Sequence, residues 1–187
     1  MMGKAGTVMI LWFKNLPQLS LDMSEWKPFI KKIWFRKHYM KFVYLLMVTF
    51  FIAPYLFFGG SFNNMTKYPL ILVIVLVFLI HEALHILVIN NKGDISLTFR
   101  GIYFWINTNA TLSKKRFWVF MSLPFIVLSV IPAIASFFVS GDSKALILFI
   151  SWFNLIISSS DILNSVLILL KPNKSVFLRG YYRVESQ

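Results

Sequence analysis

The stretch VFLIHEALHILVIN, residues 77–90, decides how the chain is read. Most of it suits a helix facing hydrocarbon, yet its centre holds His81, Glu82 and His85. An ionisable side chain within a bilayer costs several kcal/mol unless it is paired, solvated or neutralised. His81 and His85 are four residues apart, so a helix sets both imidazoles on one face, one turn from each other. Two ring nitrogens can then reach one ion. Glu82 lies beside them and can reach a water at that ion without being a ligand. This is the physical content of the His-Glu-x-x-His pattern: two metal ligands and a general base on one helical turn.

The surrounding chain has 187 residues, 58% of them apolar, and a mean hydropathy of +0.71. That length suits one domain, and that hydropathy is too high for an ordinary soluble one. Four apolar runs approach or exceed the roughly 20 residues that span a bilayer as a helix: 42–58, 70–89, 117–139 and 145–170. An all-α polytopic membrane protein with four spans is therefore expected. The basic residues orient it. Eight Lys or Arg precede residue 42, five lie in 90–116 and four in 171–187, while 59–69 and 140–144 hold one each. Seventeen of nineteen positive charges thus fall on one side, which the positive-inside rule makes the cytoplasm, with both termini there. Residues 1–41 read as a basic interfacial segment and 171–187 as a cytoplasmic tail.

The net charge of +12 is on this view a topology signal and an anchor to anionic membrane lipids; no nucleic-acid motif accompanies it. No cysteine is present, so disulfides and thiolate metal sites are excluded. The N-terminal TVMILWF is a poor signal peptide and reads as an interfacial segment. Trp26, Trp34 and Trp118 fit interfacial anchoring, and Pro124 and Pro132 should bend the third helix.

Catalytic zinc usually takes three protein ligands and keeps a fourth position for water. The third candidate is Asp161, the single charge in the fourth run. Ser151, Asn154, Ser158, Asp161 and Ser165 are spaced three, four, three and four apart, a polar stripe that should face the protein interior. Close helix packing explains the serines; it does not explain Asp161. Depth agrees: His81 precedes Asn90 by nine residues and Asp161 precedes Lys171 by ten, placing both roughly 14–15 Å from the inner ends of two helices of the same direction. The site is thus expected to hold one Zn2+ on His81, His85 and Asp161, with iron or cobalt as other metals that this donor set admits.

These residues resemble the site-2-protease type of intramembrane zinc metallopeptidase. Over roughly residues 70–170, the size and the SSSDIL around Asp161 are closer still to a family of small bacterial zincin-type membrane peptidases of unknown function. The resemblance implies cleavage of a peptide bond of a membrane protein or membrane-associated peptide, in a bacterial cell membrane. His81 and His85 match the histidine ligands, Glu82 the catalytic base and Asp161 the third ligand. Site-2 proteases carry Leu-Asp-Gly or a close variant there, whereas this chain reads Ser-Asp-Ile. Asn154 matches, loosely, an upstream Asn of those enzymes and is a candidate for oxyanion or substrate contact.

Residues 95–107 alternate Ile95, Leu97 and Phe99 against Ser96, Thr98 and Arg100, which predicts a strand and a β-hairpin-like loop between the second and third spans. One reading is a hairpin on the membrane surface. The other is an edge strand, with Ile95, Leu97 and Phe99 pairing an unwound substrate segment. Two rival functions stay open: a membrane protein that binds or transports a metal on the same three ligands, and an inactive homologue that binds partner helices. A carrier has little need of Glu82, whereas a hydrolase requires a base there.

Overall fold

A computed structural model describes residues 10–13, 24–57, 69–89, 95–100 and 103–185. Phe58, the loops carrying Lys67 and Lys92, and the start of TVMILWF lie outside the described residues. The elements run β1 (Ile10–Phe13), β2 (Lys27–Pro28), α1 (Ile33–Phe57), α2 (Leu70–Ile89), β3 (Ile95–Arg100), β4 (Tyr103–Thr108) and β5 (Leu112–Ser113). There follow α3 (Lys114–Phe125), a π-helical turn (Ile126–Val130), α4 (Ile131–Ala135), α5 (Gly141–Ile157), α6 (Ser159–Leu169), β6 (Ser175–Leu178) and β7 (Tyr181–Val184).

The protein is predominantly helical. Two runs, Leu70–Ile89 and Lys114–Phe138, are long and apolar enough to cross a membrane, and α5 with α6 makes a third if that bent pair is one span. Four were expected. In α2 every fourth residue from Val77 through His81, His85 and Ile89 is buried, while Ile71, Leu79 and Leu87 on other faces are exposed. An exposed surface this apolar suits hydrocarbon rather than water.

The expected fourth run is not one rod. It breaks at Ser158, and α5 and α6 meet at 62°. No proline causes this. Ser159 Oγ donates to the Ile156 carbonyl at 2.7 Å, and Ser158 Oγ accepts from Asn154 Nδ2 at 3.2 Å. Serine hydroxyls that bond backbone within one turn compete with the helical ladder and bend it. The serine run that reads as packing in the sequence is thus a hinge in the backbone, just before Asp161.

An all-α description also falls short, because two small sheets cap one end of the helices. One has the order β1-β3-β4, with β1 parallel and β4 antiparallel to β3. The other has the order β2-β7-β6-β5. The C-terminal tail is accordingly an ordered hairpin: Phe177 and Tyr182 bury against Phe29 and Ile168. Helix α1 begins at Ile33, ahead of the apolar run, so Arg36, Lys37 and Lys41 ride on its first turns.

The hairpin expected between the second and third spans forms, as β3 and β4. Ile95 through Thr98 pair β1 on one side and β4 on the other, so β3 is the central strand and not an edge. Ile95 is fully buried, and Phe99 and Arg100, beyond the reach of β1, pair with β4 alone. Leu97 and Phe99, for which the backbone pairing alone is described, lie on that same central strand. The residues Ile10–Phe13, expected at the membrane interface, supply the pairing that closes this edge.

Candidate metal centre

The sequence pattern delivers His81 and His85 from one face of α2, and the Ser158 hinge delivers Asp161 from the first turn of α6. All three are buried, and they form a cluster able to hold a metal ion. His81 Nε2 and His85 Nε2 are 3.2 Å apart. Asp161 Oδ2 lies 3.2 Å from the first and 3.3 Å from the second. The three atoms make a nearly equilateral triangle. Tetrahedral zinc with bonds of about 2.0–2.1 Å requires edges of about 3.3–3.4 Å between its ligand atoms.

The far side of each imidazole sets its tautomer. His85 Nδ1 is 2.7 Å from the Phe120 carbonyl, which can only accept, so Nδ1 carries the proton. His81 Nδ1 is 2.9 Å from Asn154 Oδ1. The Asn154 amide nitrogen donates to the Pro124 carbonyl (3.1 Å), Ser129 Oγ (2.8 Å) and Ser158 Oγ (3.2 Å), which fixes its oxygen towards His81. In the neutral rings both Nε2 atoms then present lone pairs to each other and to a carboxylate oxygen. Asp161 Oδ2 has no hydrogen-bond partner although it is buried. One added proton would relieve one edge of this triangle; a dication satisfies all three. The donor set, spacing and orphaned oxygen all fit a zinc ion.

Why the Phe120 carbonyl is available follows from the sequence. Pro124, four residues later, has no N–H, so the helical bond that would engage this carbonyl cannot form. His85 takes the vacancy. The π-helical turn that follows widens the same helix, and Asn154 reaches the Pro124 carbonyl there. Such turns recur at functional sites because they release backbone groups. Helix α3 is thus the platform on which both histidines are oriented.

Glu82 is partly buried beside His81 and stands outside the ligand triangle. Asn154 is fully buried behind His81, with its amide nitrogen directed at three protein acceptors. Its observed contacts orient the His81 ring; none of them leaves that nitrogen facing a substrate oxygen. The polar stripe from Ser151 to Ser165 is buried throughout. Ile95, Leu97 and Phe99 stand in the central strand described above.

Three contributors escape a sequence pattern. Phe120 acts through its carbonyl and through its ring, whose centroid is 4.6 Å from that of His85. Asn164, one turn beyond Asp161, accepts a 2.8 Å hydrogen bond from the Tyr39 hydroxyl on α1. Tyr39 thereby ties the first helix to the helix that carries Asp161. The available signals were Pro124 at the i+4 position of Phe120, and a second polar residue on α6 in register with Asp161.

A family described as "Putative zincin peptidase" matches residues 71–176, more than half of the chain and a segment that includes His81, Glu82, His85 and Asp161. No curated protein and no solved structure matches it. With a ligand triangle of zinc dimensions inside the matched segment, the chain belongs to this zincin peptidase family.

Proposed function

We propose that the protein is an intramembrane zinc metallopeptidase of the site-2-protease type, hydrolysing a peptide bond of a membrane-embedded or membrane-associated protein. The single observation that carries this reading is the buried triangle of His81, His85 and Asp161 among apolar helices, with Glu82 beside it. In this reading α1 is a further crossing, α5 and α6 form one bent crossing, and both termini face the cytoplasm. The basic residues of the α1 start, the α3 start and the C-terminal hairpin then meet anionic headgroups.

Bound zinc supplies a Lewis acid and lowers the pKa of water towards about 7. Asn154 and Phe120 hold the imidazoles in the ligating tautomer. Glu82 takes the proton from the attacking water and returns it to the amine nitrogen as the C–N bond breaks. A substrate helix must unwind to react, since its amides are already bonded internally. A metal carrier would use the three ligands but has no work for Glu82.

The test is cleavage of a co-expressed membrane reporter by wild type and by Glu82→Gln. Removing the base should cost about 10²–10⁴-fold in cleavage and leave bound zinc in place. Equal cleavage by the two would remove Glu82 from the mechanism.

A further inference from the structure

The two histidines and Asp161 are held in different ways. Each imidazole has a hydrogen bond behind it, His85 to the Phe120 carbonyl and His81 to the Asn154 oxygen. No such bond stands behind Asp161 among the described residues; its carboxylate meets the two histidines, and Oδ2 has no hydrogen-bond partner. The aim of this carboxylate is therefore set by the backbone that carries it. That backbone is the first turn of α6, directly after the 62° break. A metal ligand must stay within about 0.5 Å of its place, held there by its supporting shell. A turn that follows a bend is not aligned by the helix before it, so the support must come from elsewhere.

Tyr39 acts on this one turn. Its hydroxyl lies 2.8 Å from Asn164 Oδ1 and 3.4 Å from the Ser160 carbonyl, residues on either side of Asp161. Positions three apart on a helix are neighbours, so Asn164 stands next to Asp161 on α6. With its oxygen taken by Tyr39, the Asn164 amide directs its nitrogen at the Met121 sulfur, 3.8 Å away on α3. Met121 follows Phe120, whose carbonyl holds His85. One amide thus joins α1, the helix that carries Asp161 and the helix that orients His85. The other tie on α6 is remote. Lys114 Nζ donates to the Leu169 carbonyl at 3.0 Å, about two turns beyond Asp161.

We propose that Tyr39 is a positioning residue for the metal centre: its hydroxyl, acting through Asn164, sets the first turn of α6 so that Asp161 completes the ligand triangle. The inference rests on reading the cluster as a metal centre and is independent of the bond that is cut. Helix α1 supplies no ligand, yet through this bond it governs how tightly the ion is held. A plain structural tie is the competing account, and the molecule contains its own control. Helix α1 has a second bond, from Trp152 Nε1 on α5 to the Phe50 carbonyl, and Trp152 lies ahead of the break. If Tyr39 merely fastened α1, losing either bond would affect the metal alike. If Tyr39 positions Asp161, only its own loss reaches the ion.

The experiment uses the full chain in detergent micelles. Zinc affinity is measured by competition with a chelator, and the visible spectrum of the Co2+-loaded protein reports the number and geometry of the ligands. Tyr39→Phe keeps the ring and removes the hydroxyl. It should weaken zinc binding about tenfold and alter the Co2+ spectrum. Asn164→Leu should do the same from the other partner, and the double variant should be no weaker than the weaker single one. Trp152→Phe should match wild type in both readouts. The comparison of Tyr39→Phe with Trp152→Phe decides alone if Asn164→Leu fails to fold. Wild-type affinity and spectrum in Tyr39→Phe, an equal loss in Trp152→Phe, or losses that add in the double variant would overturn the positioning role and leave the metal centre standing. Wild type that binds no zinc overturns the metal centre, and this role with it.

Discussion

Two prolines in this protein do the same thing to the backbone with different results. Pro54 in α1 leaves the Phe50 carbonyl without its helical partner, and Trp152 Nε1 on α5 donates to it at 2.9 Å. Pro124 in α3 leaves the Phe120 carbonyl free, and His85 donates to it at 2.7 Å. In each case a group from another helix satisfies a carbonyl that apolar surroundings would otherwise leave unpaired at a cost of several kcal/mol. At Pro54 the donor is an indole, so the bond fastens one helix to another. At Pro124 the donor is an imidazole whose second nitrogen faces the metal triangle. The same break thereby fixes a tautomer and becomes part of the site. What a helix-breaking proline does is set by the partner that arrives, not by the proline.

That contrast can be broken from the site outward. Asn154→Ala removes the acceptor behind His81 and should weaken zinc binding by about 10–100-fold, measured by competition with a chelator. Pro124→Ala restores an N–H that competes with His85 for the Phe120 carbonyl, and a smaller loss, up to about tenfold, is expected. Pro54→Ala should leave zinc affinity unchanged within error while altering how α1 and α5 hold together. A loss of zinc at Pro54→Ala equal to that at Pro124→Ala would show that the two breaks are not functionally distinct.

The clustered residues His81, His85 and Asp161 were legible for two reasons. Two histidines four apart share one face of α2, and a lone aspartate in an apolar run needs an interior partner; the structure gathers all three residues. The β3–β4 hairpin was legible from its alternation. The strand β1 was not, because Ile10–Phe13 pairs in parallel with residues far along the chain and carries no local mark of its partner. That pairing covers Ile95 and Leu97, where an edge strand was expected, and stops at Thr98, one residue short of Phe99. The hinge at Ser158 was hidden because serine is tolerated in a helix until its hydroxyl bonds the backbone nearby. The role of Phe120 was hidden because a main-chain carbonyl has no signature of its own; Pro124 is its only trace in the sequence.

The central claim is that one zinc ion is held by His81, His85 and Asp161, and not by Glu82. Metal analysis of the purified wild type beside Asp161→Ala and Glu82→Gln tests it most directly. About one zinc per chain is expected for wild type and for Glu82→Gln, and close to none for Asp161→Ala. Stoichiometric zinc in Asp161→Ala, or its loss in Glu82→Gln alone, would contradict the account.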